Sequence, residues 1–202
     1  MPSTPDRPAV ATATMASPVG RLTLAATDRG LAAVLWEADG RVDGRCRVPL
    51  GPAAERPDHP VLREAARQLD EYFAGERRAF DLPLDFHGTG ATDFQRRVWA
   101  ALLEIPYGET RSYGGIAAAL GDPNLMRAVG AANGRNPISI VAPCHRVVGA
   151  AGQLTGFAGG LAAKRFLLAL EGTVKREGQG DLFDGAAQAP PRAPPQRDCS
   201  NT

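Results

Sequence analysis

The chain has 202 residues, 44% of them hydrophobic, enough for one substantial core or two small ones. Its 23 Lys and Arg nearly cancel 22 Asp and Glu, so a nucleic-acid-binding face would have to arise from clustering of charge rather than from net charge. Cys46, Cys144 and Cys199 make no disulfide framework, no run approaches the ~18 apolar residues of a membrane span, and residues 1–16 lack a secretory leader. A soluble cytoplasmic protein with reduced thiols is therefore expected.

Residues 1–9 are Pro-rich and polar and read as disordered. Segments 10–16 and 21–26 alternate apolar with small polar residues around Ser17-Pro18-Val19-Gly20. A third run, 31–36, follows Asp28-Arg29-Gly30. Together they predict an antiparallel meander. Apolar residues at 61, 62, 65, 66, 69, 72 and 73 have helical spacing, stopped at Gly75. A short strand over 80–84 then closes a small N-terminal α+β domain, residues 10–87. That domain holds Cys46, His59 and His87 without the paired-cysteine spacing of a structural zinc site, so no metal is expected and both histidines read as surface residues.

A second unit, 88–178, is mostly helical by pattern. Thr92 and Gln95 have the form of a capping box, and Phe94, Val98, Leu102 and Ile105 continue a helical stripe to Pro106. Segments 113–120 and 124–132 predict two short helices across Gly121-Asp122-Pro123. That is a helix-turn-helix pattern, although the pattern alone favours an ordinary helical hairpin. Segment 161–170 predicts a last helix, and 179–202 a disordered Pro- and Ala-rich tail. Between His87 and Gly178 ten basic residues face six acidic ones.

The chemistry is concentrated in Asn133 to Gly149. The apolar run 138–142 leads into Pro143-Cys144-His145-Arg146. A thiol of pKa ~8.5 becomes a nucleophile only beside a base, a positive charge or a helix N-terminus. His145 and Arg146 are the local candidates, and an extended segment would point Cys144 and His145 apart, so a turn or a bridging water would be required. On spacing alone, Cys144 fits an inert buried residue better than a nucleophile.

The run Pro143-Cys144-His145-Arg146-Val147-Val148-Gly149 resembles the active-site motif of the O6-alkylguanine-DNA alkyltransferase family. The resemblance extends to Arg127-Ala128-Val129-Gly130, Asn136-Pro137, Thr155-Gly156-Phe157-Ala158-Gly159-Gly160 and residues 164–172. It implies an α+β fold, with the cysteine in a mostly helical C-terminal domain. It implies further that Cys144 accepts an alkyl group irreversibly, once per protein and without a cofactor, from O6-alkylguanine or O4-alkylthymine in double-stranded DNA.

In that scheme His145 is the base through a water, Glu171 orients it, and Asn136 braces the turn before the cysteine strand. Tyr113 donates a proton toward the guanine. Arg127 fills the space left by the flipped base, and the helix-turn-helix lies in the minor groove. Asn133, Gly156, Phe157, Ala158 and Gly159 would line or support the base pocket. Phe157-Ala158 stands where some relatives carry Tyr-Ser, which leaves contacts to the substrate oxygen to backbone N–H groups.

In the tail, Gln179-Gly180-Asp181-Leu182-Phe183 resembles a bacterial sliding-clamp-binding peptide, with Gln179, Leu182 and Phe183 as its anchors; the alternative is that Leu182 and Phe183 fold back on the domain. The chain is otherwise expected to act as a monomer. A helix-turn-helix regulator would explain 113–132 but not the cysteine segment with Glu171. A Cys–His hydrolase usually draws its pair from distant positions, and a recognition-only relative normally lacks the acceptor cysteine.

Overall fold

The computed structural model describes residues 10–38, 41–42, 53–87 and 90–174. Strands β1 (Val10–Met15), β2 (Leu22–Thr27) and β3 (Gly30–Ala38) form the expected antiparallel meander, with Ala11 opposite Ala26 and Leu22 opposite Trp36. Gly30 starts β3 with φ +149°, and a β-carbon there would meet the Pro83 carbonyl oxygen at 2.3 Å, so only glycine fits. Two further strands are too short for an alternation to reveal them. β4 (Arg41–Val42) pairs antiparallel with β3, and β5 (Ala53–Glu55) pairs parallel with β1. The sheet order is β4-β3-β2-β1-β5.

Helix α1 (Pro60–Phe73) buries Leu62, Ala65, Leu69 and Tyr72 and packs against β1, β2 and β3. Proline suits the first helical position because the amide it lacks would have no helical partner there. The strand expected over 80–84 does not form. Leu84 makes a single bridge to Leu31, with the Leu31 amide donating to Pro83 O and the Asp85 amide to Leu31 O, each at 2.8 Å. Pro83 has no amide with which to extend the ladder.

Helix α2 (Asp93–Leu103) opens with the expected capping box: Gln95 N donates to Thr92 Oγ1 at 3.2 Å, and Thr92 N donates to Gln95 Oε1 at 2.9 Å. The two-stranded pair β6 (Arg111–Ser112) and β7 (Val147–Val148) is parallel and ties the start of α3 (Tyr113–Ala119) to the residues just after Cys144. Ser112 caps α3, accepting from Gly115 N at 3.0 Å. The single helix expected over 124–132 is divided. Pro123–Leu125 forms a 3-10 turn, and α4 (Met126–Asn133) follows it. Helix α5 (Gly160–Leu170) closes the fold, with Gly172 at φ +80° beyond its end.

Buried residues of the sheet, α1, α2, α4, the cysteine segment and α5 belong to one contiguous apolar cluster that includes Leu24, Trp36, Tyr72, Trp99, Val129, Ile138, Cys144 and Leu167. A second bond joins the sheet to the later residues: Val34 N donates to Pro137 O at 2.8 Å. No described helix is long and apolar enough to cross a membrane. Cys46, Cys199 and the Gln179, Leu182 and Phe183 segment lie outside the described residues.

Candidate active site

The cysteine segment is a tight loop and not the strand anticipated from its apolar run. Asn136 closes it from both ends: Ile138 N donates to Asn136 Oδ1 at 3.1 Å, and Asn136 Nδ2 donates to Ala142 O at 2.7 Å. Ala142 N reaches Ile138 O at 2.9 Å, and Ile140 adopts φ +71°, a left-handed conformation unfavourable for a β-branched residue. With most of its backbone engaged inside the loop, the segment keeps only a single parallel bridge to the sheet, between Ile138 and Val34. The chain then turns through a 3-10 helix, Cys144–Arg146, whose three side chains are all buried.

This turn places His145 and Arg146 on Glu171, the residue that ends α5, while the Cys144 thiol faces Asn136, Ser139 and Lys164. His145 Nε2 lies 2.8 Å from Glu171 Oε1, and Arg146 binds the same carboxylate with both Nε (2.8 Å to Oε2) and Nη2 (3.0 Å to Oε1). Arg146 Nη1 also donates to Ile105 O at 2.5 Å. A fourth donor comes from α1, where the Tyr72 hydroxyl reaches Glu171 Oε1 at 2.7 Å. His145 Nδ1, buried, has no hydrogen-bond partner among the described residues.

These contacts set the charges. Burial alone would raise the Glu171 pKa, but hydrogen bonds from His145 and Arg146 outweigh it and hold the carboxyl at about 2. Burial pushes the His145 pKa down, against the pull of Glu171, so the imidazole is neutral at neutral pH. Burial pushes the Cys144 thiol up, offset in part by hydrogen bonding from Asn136 and Ser139 and by the charge of Lys164. Lys164 is fully buried on α5 and donates to Val147 O at 2.6 Å and Thr155 O at 3.1 Å. At rest the group is a protonated thiol, a neutral imidazole and a paired carboxylate, so a nucleophilic role for the thiol would first require loss of its proton.

Beside this group lies a cavity of about 520 Å³. Tyr113, Arg127, Gly156, Phe157 and Ala158 all line it, together with Met126, Gly130, Gly134 and Thr155. Tyr113 Oη is 2.9 Å from Thr155 Oγ1. Phe157 links the cavity to the buried group: it lines the cavity, and its ring stands edge-on to His145, with centroids 6.4 Å apart, and to Trp36, at 5.4 Å. Arg127 is exposed on α4 between the exposed Met126 and Ala128, while Val129 and Ala132 face inward. Trp99 Nε1 fixes that inner side, donating to Ala132 O at 2.9 Å.

Cys144, His145, Asn136 and Glu171 lie off the cavity wall, and so do two of the residues expected to line or support the base pocket. Asn133 is buried at the end of α4, with its Oδ1 unpartnered among the described residues. Gly159 lies against Trp36. Of the two histidines expected at the surface, His87 is exposed, whereas His59 is half-buried ahead of α1. Among the described residues, no three His, Cys, Asp or Glu side chains converge as metal ligands. A larger groove of about 730 Å³ along α5, walled by Phe73, Leu161 and Phe166, contains no titratable side chain except Arg165 and shares no lining residue with this cavity.

Sequence reasoning missed Tyr72, Trp36 and Lys164 as parts of the site. Tyr72 and Trp36 sit in apolar patterns that announce only burial. Lys164 left a usable signal, since it shares the inward stripe of α5 with Ala163, Leu167 and Leu168. A charged residue on an apolar stripe demands partners.

Known proteins resemble this chain along most of its length. The family description "6-O-methylguanine DNA methyltransferase, DNA binding domain" matches residues 93–173, and "6-O-methylguanine DNA methyltransferase, ribonuclease-like domain" matches residues 10–86. The chain is 50% identical over 157 residues to a methylated-DNA–protein-cysteine methyltransferase of Methanosarcina acetivorans, covering 78% of this chain and 95% of that protein. A Mycobacterium tuberculosis protein of the same name is 60% identical over 115 residues, covering 57% of this chain and 68% of that one.

Among solved structures, the Mycobacterium tuberculosis O6-methylguanine methyltransferase superposes with a TM-score of 0.68 at 48% identity, over 80% of this chain and 92% of that one. A structure of the Mycobacterium tuberculosis protein in complex with DNA gives 0.67 at 47% identity, over 81% and 92%. On matches of this extent to both parts of the chain, this protein belongs to the 6-O-methylguanine DNA methyltransferase family.

Proposed function

We infer that this protein repairs DNA by direct reversal, as a methylated-DNA–protein-cysteine methyltransferase in which Cys144 takes the alkyl group from O6-alkylguanine in one irreversible turnover. The observation that carries the reading is the buried His145–Glu171 bond at 2.8 Å. With Nε2 engaged by the carboxylate, Nδ1 is the nitrogen left to accept a proton, and it belongs to the residue next to Cys144. The thiol proton passes to Nδ1, directly or through a water, and the resulting thiolate attacks the alkyl carbon. A carbon–sulfur bond forms as the carbon–O6 bond breaks, and the electrons of that bond stay with the guanine. Tyr113 would offset the charge arriving on the base by donating from its hydroxyl. The product is a thioether with no good leaving group, so the thiol is not regenerated.

The guanine O6 atom lies on the major-groove edge, out of reach of a pocket that approaches from the minor groove, so the nucleotide must rotate out of the duplex into the cavity beside Phe157. The pair α3 and α4 would act as a helix-turn-helix lying in the minor groove, with Arg127 entering the stack and Ala128, Gly130 and Ala131 permitting close approach. O4-alkylthymine presents the same alkyl–oxygen bond and would react likewise. The small side chain of Ala158 would leave room for alkyl groups larger than methyl. In this reading residues 88–178 carry the chemistry, residues 10–87 support it, and the protein works as a monomer on cytoplasmic, nucleoid DNA. The Gln179-Leu182-Phe183 spacing supports one further partner, a sliding clamp. Loss of clamp pull-down on Leu182→Ala with Phe183→Ala tests it, and no binding by the intact protein refutes it.

The test of the main reading is intact-protein mass after incubation with a duplex containing one O6-methylguanine. The wild type should gain one methylene mass and stop there, and Cys144→Ala should gain nothing. Tight binding to the lesion with no gain by the wild type would make this a damage-recognition protein with a structural cysteine.

A further inference from the structure

Glu171 is approached from three parts of the chain, the Gly108 amide after α2 reaching its Oε2 at 3.5 Å. His145 and Arg146 come from the turn that carries Cys144, whereas Tyr72 comes from α1, 99 positions earlier in the sequence than Glu171. Oε1 alone accepts from Tyr72 Oη at 2.7 Å, His145 Nε2 at 2.8 Å and Arg146 Nη2 at 3.0 Å. A carboxylate oxygen offers about two lone-pair directions. Three donors on one oxygen therefore compete for its electron density, and the hold on His145 depends on the other two.

We propose that Tyr72 is a positioning residue for alkyl transfer: by donating to Glu171 Oε1, it limits how strongly that carboxylate stabilises a charged His145 and so keeps the imidazole neutral and able to accept the Cys144 proton. Tyr72 lines no part of the cavity by Phe157 and would act only through Glu171. Its ring is held in place by Phe80, 5.4 Å away between centroids, and Tyr107, at 6.3 Å. Burial and the neighbouring Glu171 charge hold its phenol far above the ordinary range, so the hydroxyl is a donor at every working pH.

The other titratable or charged groups around this pair are otherwise engaged. Tyr107, in the loop after α2, gives its hydroxyl to Leu170 O at 3.0 Å. Lys164, on α5, is bound to two backbone carbonyls, and Arg146 already contributes two bonds to the carboxylate. Cys144 shares the turn with His145. The N-terminal half thus supplies the one neutral side-chain hydroxyl on this carboxylate.

This inference rests on His145 being the base, and its test separates the two ideas. Single-turnover transfer from a duplex containing O6-methylguanine is measured against pH for the wild type, for Tyr72→Phe, and for protein with a ring-fluorinated tyrosine at position 72. The phenylalanine keeps the ring packing and removes the donor; the fluorinated ring makes a stronger donor. Removing the donor concentrates charge on Oε1 and favours the imidazolium. The acid limb of the Tyr72→Phe profile should therefore move up by about half a pH unit or more, and that of the fluorinated protein should move down. The high-pH plateau should hold in both.

A limb unmoved in the fluorinated protein, or a loss of plateau with the limb in place, overturns the inference and leaves Tyr72 a packing residue. Should Tyr72→Phe fold poorly, the fluorinated protein decides alone. A wild-type profile with no acid limb would instead remove His145 as the base, and the Tyr72 inference with it.

Discussion

Gly159 stands so close to the indole of Trp36 that a β-carbon on it would lie 2.7 Å from the ring. Trp36 also meets Phe157 edge-on, so the loop before α5 is set against a side chain of the N-terminal sheet. Gly159→Ala should force the loop off this wall, at a cost of about 1–3 kcal/mol for overpacking. Displacement of Phe157 should slow transfer by roughly tenfold or more, since reacting atoms tolerate little misplacement. Urea unfolding and single-turnover rates check the two effects, and wild-type values for both would show that the wall does not position the loop.

Asn136 holds two buried backbone groups, Ile138 N and Ala142 O. Asn136→Ala leaves both unsatisfied and should cost about 2–4 kcal/mol. Asn136→Asp keeps the acceptor for Ile138 N, loses the donor to Ala142 O, and should fall between. Denaturant midpoints measure the order; an alanine variant as stable as the wild type would mean that the loop is held by its packing alone.

Acid should weaken the fold in two stages. The His145 pKa is depressed in the folded protein, so below about pH 6.5 the unfolded chain takes up that proton first and stability falls. The Glu171 pKa is depressed to about 2, so its contribution is complete above about 4.5 and is lost between there and 2. The second stage amounts to roughly 3 kcal/mol. Glu171→Gln should be markedly less stable than the wild type at pH 7, because the buried Arg146 loses its counter-charge. That gap should narrow as the pH falls from 4.5 toward 2. A gap independent of pH would show that the Glu171 charge does not stabilise the fold.

Cys144 is 3% exposed, and burial holds it as a thiol. In the native protein at neutral pH, peptide mass mapping should find it labelled by iodoacetamide far more slowly than after unfolding in urea. Equal rates in both states would mean that the site opens without DNA.

Arg127 lines the cavity from an exposed position on α4. If its role is to stabilise a duplex from which a base has been flipped, Arg127→Ala should slow transfer from duplex DNA by on the order of tenfold or more. The same change should leave transfer from free O6-benzylguanine nearly unaltered. Equal losses on both substrates would place Arg127 in the base pocket itself.

Much of this arrangement was legible before any coordinates. The three strands and α1 followed from alternation and helical spacing, and the start of α2 from Thr92 and Gln95. What the sequence hid has physical causes. Segment 138–142 has the composition of a strand, but Asn136 competes for its backbone and bends it into a loop. Residues 80–84 fail as a strand at Pro83, whose missing amide stops the ladder after one bridge. Tyr72 is one more apolar position of a helix until the fold brings its hydroxyl to Glu171. Periodicity reports which face is buried, not what a polar atom on that face will meet.

The bond from Val34 to Pro137 has a consequence for how the molecule breathes. With the Leu31 contact to Pro83, it fills a stretch of the outer rim of β3 that would otherwise be open to a foreign strand. Sheet and cysteine loop shelter one another, so the amides of Val34, Ile138 and Ala142 should exchange with solvent together, near the free energy of global unfolding. The cysteine loop is thus bedrock rather than a hinged door, a fixed surface to which any partner must bring its own movement.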